Sequence, residues 1–261
     1  MLDFGLWRSR RKRGRRCWVC GVVAIALLGM APTFARAATD DDTAVAMRLA
    51  ELLRSARTVI SRNQGTINDP EKGDKGLTGE KVLADTIALL KERTGDDPLQ
   101  SDAQSLEGKL LRAEMDSIAA VMNENQATIN AKGVGFKGFI PAVFARLVNE
   151  KFADRVGNLA RIKATAPENL VRNRKARPDA WESAVIEDKF LKADWPKGKP
   201  YSELAQVDGK PAFRIVVPEY YAASCLSCHG EPAGEMDVTG YPKEGGKEGD
   251  LGAAISITLF K

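Results

Sequence analysis

Two cysteines and the only histidine of the chain stand together as Cys225-Leu226-Ser227-Cys228-His229. The spacing Cys-x-x-Cys-His is the attachment signature of a c-type haem. Two thiols three positions apart on a short turn form thioethers with the two vinyl groups of one porphyrin. The histidine that follows supplies the proximal nitrogen to the iron. Cys225 and Cys228 are thus the expected attachment points and His229 the expected metal ligand, with no second imidazole available in the chain. Other uses of the motif suit it less. A structural zinc site wants four ligands, usually Cys or His, and the only other cysteines are Cys17 and Cys20. A thioredoxin-like pair needs an early strand–helix context, whereas this one follows a late strand.

A group attached in this way calls for an exported chain, and the N-terminus reads as an export signal. Arg8, Arg10, Arg11, Lys12, Arg13, Arg15 and Arg16 form a basic segment, Val19 to about Met30 an apolar one, and Ala35-Arg36-Ala37 a cleavage site. Residues 1–37 are therefore expected to be removed, leaving a periplasmic protein that is not embedded in the membrane. They hold eight Lys and Arg against Asp3, a net +7 within an overall +4, so the remainder is near −3. The basic balance belongs to the leader, and nucleic-acid binding has no support. The length that remains suits one large domain or two small ones.

The first half of the mature chain repeats itself at an offset of 62 residues. Asn63-Gln64-Gly65-Thr66-Ile67-Asn68 recurs as Asn125-Gln126-Ala127-Thr128-Ile129-Asn130. Gly73, Lys75 and Gly76 match Gly135, Lys137 and Gly138, and Arg93 and Gly95 match Arg155 and Gly157. Leu49, Leu53, Ala56 and Ile60 make a helical stripe that Leu111, Met115, Ile118 and Met122 repeat. Each copy reads as helix, Gly-rich loop, helix, and identical loop residues in register point to duplication. A polar turn at Gly95-Asp96-Asp97-Pro98 separates the copies.

Beyond about residue 160 the pattern turns to strands. Pro178-Asp179-Ala180-Trp181-Glu182 reads as a helix start, running to about Leu191 and burying Val185 and Phe190. Residues 201–207 and 212–220 form a hairpin about Asp208-Gly209, a pair suited to a tight primed turn. The second strand leads almost directly into the cysteine motif, so Tyr220 and Tyr221 are expected beside the porphyrin. Residues 231–249, rich in Gly, Lys and Glu, read as a loop wrapping the haem edge. Leu251 to Phe260 reads as a half-buried strand, with Ile255, Ile257 and Leu259 inward and Ser256 and Thr258 outward. The expected class is α+β, a duplicated helical half followed by an antiparallel sheet.

Several of these segments, in this order, resemble a known family. They are Val171-Arg172-Asn173-Arg174, Pro178-Asp179-Ala180-Trp181-Glu182, Phe213-Arg214, Pro218, Cys225-Leu226-Ser227-Cys228-His229-Gly230 and Gly249-Asp250-Leu251-Gly252-Ala253-Ala254-Ile255-Ser256. The family is that of exported c-type-haem-binding sensor domains with a PAS-like fold (the Tll-type haem-c domain family), and the resemblance covers about 106–261. It implies haem c on Cys225, Cys228 and His229. Some members take a distal cysteine from the helical segment before the Arg-Asn motif, but the stretch around Gly135-Phe136-Lys137-Gly138-Phe139-Ile140-Pro141 has none. Signalling members continue into a membrane helix and an output domain, whereas this sequence stops at Lys261.

The organisation that follows is a signal peptide over 1–37, an N-terminal helical repeat over 38–105 and a haem-c PAS-like domain over 106–261. Arg172 and Arg174 are candidates to pair with the haem propionates, with a solvated basic run as the alternative, and Tyr220 is a candidate haem contact. Met115, Met122 and Met236 are candidate sixth ligands, although the repeat places Leu53 and Ile60 where Met115 and Met122 stand, which suits ordinary packing. A vacant sixth position is equally open. The expected function is non-enzymatic, since a haem peroxidase wants a distal histidine that the chain lacks. A redox or small-gas response by a periplasmic monohaem cytochrome comes first, with a diffusible electron carrier as the alternative. The partner is correspondingly a redox protein or a gas, and the oligomeric state is open.

Overall fold

A computed structural model describes residues 31–261, with side chains from residue 40. The basic and apolar parts of the expected leader, with Cys17 and Cys20, lie outside the described residues. No helix among the described residues is long and apolar enough to cross a membrane.

The helical half is built from two copies of one unit. α1 (Ala31–Arg62), α2 (Gln64–Ile67) and α3 (Gly79–Thr94) are followed by α4 (Leu106–Glu124), α5 (Gln126–Ile129) and α6 (Pro141–Val156). Apart from the starts of α1 and α4, every boundary recurs at the expected offset. Local chemistry sets these limits. The Thr78 hydroxyl accepts the Lys81 N–H at the start of α3, and the Ser105 hydroxyl does the same for Gly108 in α4. Gly95 (φ 73°) closes α3 in a left-handed conformation and Gly157 (φ 57°) closes α6 at a positive φ, both of which other residues resist.

Identical loop residues do identical work in both copies. The backbone N–H of Lys75 donates to Asn130 Oδ1 at 2.9 Å, and that of Lys137 to Asn68 Oδ1 at 3.0 Å. Gln64 Nε2 donates to the Phe139 carbonyl and Gln126 Nε2 to the Leu77 carbonyl. Each loop is therefore completed by the other copy. The Lys75 ammonium is buried against the Asp69 and Lys72 carbonyls, and Lys137 caps Val134 at 2.7 Å.

Four antiparallel strands complete the α+β architecture: β1 (Ala160–Thr165), β2 (Tyr201–Val207), β3 (Lys210–Tyr220) and β4 (Leu251–Phe260), in the order β1-β4-β3-β2. The hairpin turns at Asp208 (φ 52°) and Gly209 (φ 75°), as the Asp-Gly pair requires. Phe213, Ile215 and Val217 share a face with Ile255, Ile257, Leu259, Ala160 and Ile162. That face continues without a break into the core of the helices, which includes Leu49, Leu53, Leu110, Ile118, Phe144 and Phe152. Each such large apolar side chain, fully enclosed, contributes roughly 1.5–3 kcal/mol.

β1 has no counterpart in the sequence reading, because its alternating Arg161 and Lys163 leave only a short apolar signal. One expectation needs correction. Ser256 and Thr258 do not face solvent. They are 3% and 6% exposed, because the outer face of the sheet is covered by α7 (Ala180–Val185) and a π-helical turn, Ile186–Phe190. α7 opens with a capping box in which Asp179 and Glu182 each satisfy the other's backbone N–H. Arg214 bonds both carboxylates and lies 4.1 Å from the centre of the Trp181 ring. The Pro-Asp-Ala-Trp-Glu and Phe-Arg segments are thus joined as one structural clamp on this face.

Candidate functional site

The cysteine motif sits at the end of the sheet where β3 hands over to a loop. The Tyr221 N–H donates to the Asp250 carbonyl at 2.9 Å and the Gly249 N–H to the Tyr221 carbonyl at 2.8 Å, so the strands that enter and leave the loop are tied at its base. A 3-10 turn, Ala223–Cys225, then runs into α8 (Leu226–His229). Residues three apart on such a turn share one side, which puts Cys225 and Cys228 together. Both thiols are free and half-buried. Burial pushes the Cys228 thiol up from its ordinary pKa, which keeps it protonated. Gly230 ends the turn, and a Cβ there would strike the Leu226 carbonyl.

His229 is fixed from three sides. Its Nδ1 lies 2.8 Å from Glu244 Oε2. Its ring stacks on Tyr221 with centroids 5.1 Å apart and planes 20° from parallel. Its carbonyl accepts the Gly246 N–H at 2.7 Å. Burial pushes the Glu244 carboxyl up, but hydrogen bonds from Arg172 and His229 outweigh it and hold the group below the usual glutamate range. An ionised Glu244 can only accept, so Nδ1 carries a proton toward it and Nε2 is the ring nitrogen not committed to this bond.

Arg172 braces this arrangement. Its Nε and Nη2 meet both oxygens of Glu244 at 2.8 and 3.0 Å, Nη1 meets Asp237 at 2.6 Å, and Nη2 also donates to the Cys228 carbonyl at 2.9 Å. Desolvation works against the Asp237 charge, yet bonds from Thr239 and Arg172 and the backbone N–H groups of Tyr241 and Thr239 hold its carboxyl far below the usual range. The carboxylates that Arg172 meets are therefore the chain's own. Tyr221 is wedged as tightly. A Cβ on either Gly246 or Gly252 would collide with its ring, and its hydroxyl is buried with no hydrogen-bond partner. Desolvation, reinforced by the nearby Glu244 charge, pushes that hydroxyl up to about 12.

Of the residues singled out in the sequence, Arg172, Cys225, Cys228 and His229 come together. Arg174 is exposed on a 3-10 turn, Arg174–Ala176. Tyr220 turns to the other face of the sheet, where its hydroxyl accepts the Gly198 N–H at 2.9 Å and its ring lies under Lys197. There it lines an open groove of about 290 Å³ with Phe190, Trp195 and Leu251. Met115 and Met122 are buried in the helical core. Met236 is 61% exposed and bridges to Pro242 in a small hairpin inside the 231–249 loop. Sequence reading missed Glu244 and Asp237. Glu244 is one of four glutamates between residues 231 and 248, and only the fold distinguishes it from the other three.

The residues present fit a covalently attached haem. Two free thiols share one side of a turn, and the adjacent histidine has its Nδ1 committed to a carboxylate with Nε2 left over as a ligand atom. The histidine side chain is 30% exposed, so a large planar group can reach it. Comparison with known proteins adds the lineage. A family model described as Tll0287-like (Tll0287) matches residues 36–259. No curated protein and no solved structure matches the chain.

Proposed function

The chain belongs to the Tll0287-like family, and from that premise we propose that it is a periplasmic monohaem c-type cytochrome with a PAS-like haem domain, serving a redox or small-gas response. Residues 1–37 would direct its export and be cleaved near Ala37. Cys225 and Cys228 would hold the porphyrin by thioethers, and His229 would ligate the iron through Nε2. When bound, the haem supplies a reversible one-electron couple and a site for a diatomic ligand. The chain's own residues orient the ligand histidine, keep both attachment cysteines half-buried on one turn, and pin the loop that follows. The role is one of binding or electron transfer rather than catalysis. The observation that carries the reading is the Glu244–His229 bond: it orients a ring beside two free thiols as a metal-ligating imidazole is oriented.

The test is expression with export and haem-maturation functions, followed by a pyridine haemochrome spectrum and haem staining of a denaturing gel. A c-type spectrum and one covalent haem per chain are expected, with covalent attachment lost in Cys225→Ser plus Cys228→Ser. A chain that carries no haem under these conditions overturns the reading.

A diffusible electron carrier is the second reading. The half-exposed position of the motif favours it, because an accessible haem edge suits transfer to a protein partner. Carbon monoxide separates the two. A high-spin reduced spectrum that shifts on addition of the gas supports ligand response, and a low-spin spectrum that ignores it supports the carrier.

A further inference from the structure

Resting on the reading that haem is attached at Cys225 and Cys228, we infer that Glu244 is a positioning residue for the iron's proximal ligand. Gripped by both prongs of Arg172, it locks the His229 ring and loads it with electron density, so that ferric iron is favoured over ferrous. The locking follows from geometry. The ring is held by its Nδ1–H, by one face and by its own backbone carbonyl, to Glu244, Tyr221 and Gly246 respectively. Rotation about the side chain would break the first contact and unstack the second.

The electronic effect follows from the kind of acceptor. A charge-assisted hydrogen bond to a carboxylate is about twice as strong as one to a neutral carbonyl, and such an outer partner raises the basicity of a ligating histidine. Arg172 does not cancel this charge. The same guanidinium also serves Asp237, whose side chain is fully enclosed, so two carboxylates share one cation and Glu244 keeps part of its negative charge beside Nδ1. A more basic ligand stabilises the higher oxidation state of its metal.

A consequence for the architecture accompanies this. Glu244 belongs to the 231–249 segment and acts on the side of His229 turned away from Nε2, and Asp237 of the same segment holds Arg172 in place. That segment therefore supports the proximal ligand.

The experiment uses the full-length holoprotein and its Glu244→Gln variant, with haem content measured before the midpoint potential. Glutamine keeps an acceptor oxygen near Nδ1 but removes the charge. The expected result is unchanged covalent haem with a midpoint potential shifted positive, returned toward the wild-type value in Glu244→Asp. Equal potentials in wild type and Glu244→Gln, at equal haem content, overturn the inference while leaving haem attachment standing. Wild-type protein without haem overturns the parent reading instead. Should Glu244→Gln fail to fold, nitrogen-15 NMR of the reduced, carbon monoxide-treated wild type decides. A slowly exchanging His229 Nδ1–H supports the inference, and one exchanging at the solvent rate overturns it.

Discussion

Asn130 receives the backbone N–H of Lys75 at 2.9 Å, and Asn68 receives that of Lys137 at 3.0 Å, the same bond with the two copies exchanged. Both asparagines also bond back within their own copy, Asn68 Nδ2 to Gln64 Oε1 and Asn130 Nδ2 to Gln126 Oε1. The side-chain amide is thus used at both ends, which explains why asparagine, and no simpler polar residue, stands at both positions.

Replacing Asn130 or Asn68 by alanine leaves a part-buried backbone donor unpaired, at a cost of about 1–2 kcal/mol each. The pseudo-symmetry predicts nearly equal losses for the two variants. Urea unfolding of the purified protein measures both, and a loss at one position alone would show that the copies are not equivalent.

Glu114 occupies the position that Leu52 holds in the first copy, fully buried and with neither oxygen hydrogen-bonded. Desolvation alone raises its carboxyl well above the 4.5 of a free glutamate. Below that value folded and unfolded chains are both protonated, and the folded state keeps its full stability. As pH rises beyond it the unfolded chain ionises first, so stability falls until the folded carboxyl titrates too. The urea midpoint should therefore decline as pH rises above about 4.5, and this slope should flatten in Glu114→Gln. Glu114→Leu should gain about 2 kcal/mol at neutral pH by removing an unpaired polar group.

The slot around Tyr221 gives a paired prediction. Gly252→Ala drives a methyl into the tyrosine ring and should cost about 1–3 kcal/mol, with covalent haem yield falling alongside. Tyr221→Phe removes only a buried hydroxyl that has no partner and should be neutral or slightly stabilising, within about 1 kcal/mol. Thermal unfolding with a parallel haem assay checks both.

Arg172→Ala strands two carboxylates, one of them fully enclosed. Removing one partner of a buried pair costs about 3 kcal/mol or more. Limited proteolysis should then cut within 231–249 where the wild-type protein resists, and Arg172→Lys should restore only part of the resistance, lacking the two-pronged fit.

Much of this architecture is legible in the residues. The duplication shows because the loops depend on specific side chains, and Asn68, Lys75 and Gly76 cannot drift without losing the interlock. The hairpin shows because Asp208-Gly209 is bound to a positive-φ turn. β1 does not show, since six residues with two charges carry too little pattern, and its strand character comes from pairing with β4. Ser256 and Thr258 mislead because alternation reports polarity, whereas their burial depends on α7 packing over the outer face. At the site the cysteines and histidine are plain from spacing. Glu244 is not, because its partner Arg172 lies 72 residues away and no local signal links them.

The sheet order also carries a sequence of events. β4, the last strand in the chain, sits between β1 and β3, so β1 has no neighbour to pair with until residues 251–260 arrive. Until then the turn bearing Cys225 and Cys228 is anchored on one side only, by β3, and its base remains unzipped because Asp250 and Gly249 have not yet closed on Tyr221. The fold thus leaves the turn of Cys225 and Cys228 tethered from one side until the final strand arrives and closes its base.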